Sequence, residues 1–229
     1  MSHLTDEYCR EVATLSENTI LQHDGKILAS LPYLDRSHVR SQADLIGRAL
    51  ALNAIIDLNF SVPTPTIKDW LQKHDVLKYL TSHEAELLRR SAANITDQEK
   101  TDLAWSLDAL WALMWAGQLF DDLDFTSPIP DSMYEMCPHI RDGEGSEKFT
   151  AMQLRSFDEL YRSLDLHYRL HWYAFQYNLR EELGTFDCSR FIERRRALEW
   201  LLWNCKGFVS SKIRSEFLLK PSRRQIPQA

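Results

Sequence analysis

Residues 96–118 read TDQEKTDLAWSLDALWALMWAGQ, and the fold turns on this stretch. Thr96 followed three residues later by Glu99 is a capping box, in which two side chains satisfy the free backbone N–H groups of a helix start. Beyond the first turn, Leu103, Trp105, Leu107, Leu110, Trp111, Leu113, Met114 and Trp115 leave little polar surface. A helix apolar nearly all round belongs inside a bundle, so 97–118 is expected to be the central helix. Asp108 and Gln118 lie within the apolar run 103–120, which marks a core helix and not a membrane span.

Outward from that helix, the same box recurs as Thr81 with Glu84 and Ser156 with Glu159, and Ser41 has Asp44 in the matching place. Each predicts a helix start. Leu45, Ala49, Leu52, Ile55 and Ile56 give the helix from Ser41 an inward stripe that ends near Asn59. Pro63 and Pro65 interrupt the chain before a short helix over 66–73. The helix from Ser156 is expected to run to Gly184, and another to span 189–205, with a weaker one over 208–219. Near the N-terminus, Leu4, Tyr8, Val12 and Leu15 fit an amphipathic helix, and Asp24-Gly25 between short apolar runs signals a short β-hairpin. The expected fold is therefore mainly α: a single-domain bundle of about 7–8 helices. An N-terminal extension occupies 1–35, the helical domain 36–220, and a frayed tail 221–229.

Composition agrees with this class. Seven glycines in 229 residues fall below the usual share of about 7%, and runs of β-branched residues are scarce. At 44% hydrophobic, the chain can bury a substantial core. The four cysteines, Cys9, Cys137, Cys188 and Cys205, include no CxxC, and no signal peptide is evident, so a reduced cytoplasmic protein is expected.

Charge is divided by position. Residues 190–229 hold ten Lys/Arg against three Asp/Glu, a net of +7, so residues 1–189 carry −13 of the total −6. Within the acidic part, Asp121, Asp122, Asp124, Asp131, Glu135, Asp142, Glu144 and Glu147 face only Arg141. Such a run is either a solvated loop or a docking surface for a basic partner.

Five motifs are similar, in the same order, to those of the bacterial domain of unknown function family 4272. They are RALALNA at 48–54, TSHEAELL at 81–88, WSLDALWALMWA at 105–116, LDLHYRLHW at 164–172 and IERRRALEWLLW at 192–203. Asp108 stands where the family usually has Glu, and Glu199 where Asn is common. The resemblance implies a helical fold and supplies no established activity.

Candidate sites are polar residues set in apolar helices. His167 and His171 have the i, i+4 spacing of paired zinc ligands, but no third ligand accompanies them, so no metal or other cofactor is expected. Arg194 shares a stripe with Ala197, Leu198 and Leu201. A charge so placed needs a partner, and Asp108 and Glu84 are the candidates. The tryptophans share their helical spacing with Leu and are expected in the core. Arg48, Glu84, Asp108, Arg169, His171, Glu193 and Arg194 thus form either buried pairs or the lining of a cleft. Three functions remain open. One is a non-enzymatic cytoplasmic binding protein, in its sharpest form an immunity-type inhibitor of a basic toxin. Another is an enzyme with a polar Arg/Glu/His cleft. The third is a nucleic-acid binder acting through the basic residues 190–224, against which the acidic remainder of the chain argues.

Overall fold

The computed structural model describes residues 4–28, 30–177 and 188–203. Five of the described helices begin where short polar side chains meet free amides. Thr5 accepts from the amide of Tyr8 to start α1 (Asp6–Gln22). Reciprocal capping boxes open α2 (Gln42–Ile56) through Ser41 and Asp44, and α4 (Ser82–Leu87) through Thr81 and Glu84. Two more open α5 (Asp97–Ala116) through Thr96 and Glu99, and α8 (Phe157–Gln176) through Ser156 and Glu159. Each cap is worth about 1 kcal/mol. Pro65 stands at the start of α3 (Thr64–Lys73), where its missing N–H costs no hydrogen bond. Two short helices, α6 (Ser132–Met136) and α7 (Glu147–Thr150), lie in the acidic segment, and α9 (Cys188–Leu201) follows.

These helices pack in the spatial series α1, α8, α9, α5, α2. The fold is mainly α, with α5 between α2 and α9 and buried from Asp108 through Ala116. Its first half is wetter than the sequence suggests: Trp105 is 39% exposed. Trp70, Trp111 and Trp115 are buried, whereas Trp203 is also 39% exposed.

The small sheet is not the expected hairpin. Asp24, at φ 62, and Gly25 turn the chain out of α1, and the two strands come from elsewhere. β1 (His38–Val39) pairs antiparallel with β2 (Leu202–Trp203), so the chain leaves α9 directly into a strand. The amide of Arg40 donates to Leu201 O at 2.9 Å, and its Nε donates to Trp200 O at 2.7 Å over the Trp200 ring. These bonds satisfy carbonyls at the end of α9 that would otherwise be unpaired.

One face of α1 is part of the core. Val12, Ala13 and Ile20 of α1 are buried, and Tyr161 of α8 donates from its hydroxyl to Leu34 O at 2.7 Å. Two helices end earlier than expected: α8 stops at Gln176 with Tyr177 as its C-cap, short of Gly184, and α9 stops at Leu201, where residues 202 and 203 enter β2 instead of continuing the helix to 205. The helix over 208–219, Cys205 and the tail 221–229 lie outside the described residues.

Candidate functional site

The seven polar residues do not converge. They are divided among separate pairs, most of them buried and fastening two elements, while Glu193 pairs within α9. Between α2 and α4, both terminal nitrogens of Arg48 donate to the Glu84 carboxylate at 2.7 and 2.8 Å, and one also donates to Tyr79 O at 3.0 Å. Glu84 also accepts from the Thr81 amide at 2.8 Å, so one carboxylate both caps α4 and pins it to α2. Gly47 makes room for this: a Cβ there would meet the Tyr79 ring at 2.0 Å.

Between α5 and α9, Arg194 donates from Nε to Asp108 at 2.8 Å and from its terminal nitrogens to Asp124 O at 2.8 Å and Ser127 O at 3.2 Å. Its guanidinium lies over the Trp111 ring, 4.3 Å from the centroid. Burial draws the Arg194 pKa down to about 10, and Asp108 opposes that shift.

Between α8 and α1, Arg169 donates to Asp165 at 2.8 Å and to Glu17 at 2.7 Å. His171 Nδ1 accepts from Arg195 at 2.8 Å, and Arg195 also holds Glu199 while lying over the Tyr168 ring. Glu193 pairs with Arg196 one turn on, and burial pushes its carboxyl above the usual range. Within α9, then, Arg194 and Arg195 are turned inward and Arg196 is paired. That helix presents no continuous basic face.

Sequence reasoning did not place Arg195, Asp165, Glu17 and Arg155 in the polar set. Asp165 was detectable, since it stands four residues before Arg169. Glu17 and Arg195 carry no local signal, because each meets its partner across the fold. Arg155 donates to the carbonyls of Trp115 and Phe120 at 2.8 and 2.7 Å and of Asp121 at 3.2 Å, fastening the start of the acidic segment to the end of α5.

The acidic segment, read as a long loop, is anchored from below by buried Phe125, Met133, Ile140 and Phe149. Its carboxylates Asp121, Asp122, Asp124, Asp131, Glu135, Asp142, Glu144 and Glu147 are all exposed. None forms an ion pair among the described residues. Arg141, its one arginine, donates to the carbonyls of Phe60 and Ser61. Asp124 accepts from Thr126 and Ser127 in a local turn that lowers its pKa against the desolvation around it.

Asp121 and Asp122 stand at one wall of a cleft of about 360 Å³ between α1 and α8, whose other walls include Leu15, Arg155, Arg162 and His167. The His167 Nδ1 is 2.9 Å from Ser163 O, an acceptor, so Nδ1 carries the proton. Its Nε2, fully buried, has no hydrogen-bond partner among the described residues. Among the described residues no group of three His, Cys, Asp or Glu side chains is placed to hold a metal ion. No described helix is long and apolar enough to cross a membrane.

The fold is thus a helical domain fastened by buried arginine–carboxylate pairs, with a pinned acidic face. The chain belongs to the family described as Domain of unknown function (DUF4272), which it matches over residues 15–206. Comparison with curated proteins and with solved structures gave no significant match in either.

Proposed function

We propose that this chain is a non-enzymatic cytoplasmic protein that binds a basic protein partner through residues 121–147. The observation that carries the reading is the contrast in pairing. The buried carboxylates Glu84, Asp108 and Asp165 each hold an arginine. The eight carboxylates of the acidic face are exposed, and none is ion-paired among the described residues. Unpaired charge of one sign on an anchored surface accelerates encounter with a partner of opposite sign, over a range set by a screening length of about 10 Å at 0.1 M salt. In its sharpest form the partner is a basic toxin that the chain neutralises. The cleft beside Asp121 and Asp122 offers that partner a place to insert a cationic side chain. The division of Arg48, Glu84, Asp108, Arg169, His171, Glu193 and Arg194 into separate pairs weighs against a catalytic cleft built from them, since catalysis requires groups gathered at one point.

The test is association kinetics with a basic protein recovered by the full chain. Asp121→Asn, Asp122→Asn, Asp124→Asn and Glu144→Gln combined should slow association by roughly tenfold at low salt, and the deficit should shrink as ionic strength rises. An association rate that ignores both the neutralisation and the salt overturns the acidic-docking reading.

A further inference from the structure

A second cleft, of about 650 Å³, lies on a different part of the surface where α3, the α4–α5 connection and the first turn of α5 meet. Four of the residues lining it are cationic: Lys68, Arg89, Arg90 and Lys100. No carboxylate is among its described lining residues, although the chain as a whole carries more acid than base. The cations come from three elements, so the fold gathers a charge that the local sequence does not concentrate.

Three of the four cations are paired with a carboxylate. Arg89 and Lys100 each meet one carboxylate a turn away, Glu86 and Asp97, in exposed pairs, and such pairs hold their charges weakly. Lys68 is exposed and forms no ion pair among the described residues. Arg90 is different. Its terminal nitrogens bond both oxygens of Glu99, and Thr64 at the start of α3 donates to the Arg90 carbonyl at 3.1 Å. These bonds fix the connection against α3, while the Nε of Arg90 has no hydrogen-bond partner among the described residues. The hydroxyl residue Ser91 also lines the cleft.

We infer that this cleft binds the phosphoryl group of a small phosphorylated metabolite. Lys68, Arg89 and Lys100 neutralise its charge, and the Glu99-anchored Arg90 holds the wall in place. A planar guanidinium and flexible ammonium groups are the side chains suited to a multiply charged oxyanion. The volume accommodates a ligand the size of a nucleoside monophosphate, within the usual range of small-molecule sites of about 300–1,000 Å³. The inference does not depend on the acidic face, which lies on other elements.

The experiment titrates the full chain with AMP, inorganic phosphate and adenosine, read by calorimetry and by backbone amide shifts. AMP should bind, inorganic phosphate should compete, and adenosine should not bind. Lys68→Ala and Arg89→Ala, both at exposed positions, should each weaken AMP by roughly tenfold while leaving the melting temperature in place. Lys78→Ala, a surface lysine outside the cleft, should have no effect. Three results would overturn the inference: no AMP or phosphate binding up to about 10 mM; displacement by chloride as effective as by phosphate; or affinity that ignores both cleft substitutions.

Discussion

The side chains of Arg194 and Asp108, 86 residues apart in sequence, meet at 2.8 Å with the arginine side chain 0% exposed. Removing either member strands the other charge in the interior, which costs far more than the pair contributes net. Arg194→Ala should lower stability by about 2–4 kcal/mol in urea unfolding. A variant as stable as the parent would mean that Arg194 serves a surface function instead.

His167 makes the fold acid-sensitive. Burial, aided by the Arg194 charge, draws its pKa from 6.5 down to about 3. The folded state therefore holds it neutral, and its contribution is fully present above pH 6.5. That contribution is lost as pH falls toward 3, because the unfolded chain takes the proton more readily. His167→Leu should flatten the fall in urea midpoint between about pH 6.5 and pH 4. An unchanged slope would assign the acid sensitivity to other groups.

Asp57 acts with the opposite sign. Burial raises its pKa from 3.8 to about 6, with Arg141 and His139 only partly compensating. The folded state favours the protonated acid, so this contribution is lost as pH rises from about 4 through 6. At neutral pH, Asp57→Asn should stabilise the protein by about 1–2 kcal/mol, after discounting for the solvent screening of a half-buried group. The gain should vanish below about pH 4. A loss of stability at pH 7 would show that the carboxylate has a favourable role at the end of α2.

Gly47 is expected to tolerate no side chain. A methyl there overlaps the Tyr79 ring, and displacing that ring breaks the bond its hydroxyl donates to Asp44 at 3.3 Å. Gly47→Ala should destabilise by about 1–3 kcal/mol despite the better helix propensity of alanine. Thermal unfolding decides it, and a rise in melting temperature would show that Tyr79 relocates freely.

Sequence by itself determined where four of the helices begin, while α3 starts at Thr64, two residues ahead of the expected 66, and α7 was not foreseen. The boxes at Ser41, Thr81, Thr96 and Ser156 all form as read, because a cap is made within three residues and needs no distant partner. It also determined that Arg194 needs a carboxylate, since its stripe is otherwise apolar. Only the tertiary structure decided which one. Asp108 and Glu84 were equal candidates until α9 packed on α5, while Glu84 found Arg48 on α2. The same holds for the strand pair joining His38–Val39 to Leu202–Trp203, for the exposure of Trp105, and for the gathering of Lys68, Arg89, Arg90 and Lys100 around one cleft. Those outcomes depend on which helix faces meet, and that is set by burial summed over many contacts distant in sequence, to which no short stretch of the chain gives access.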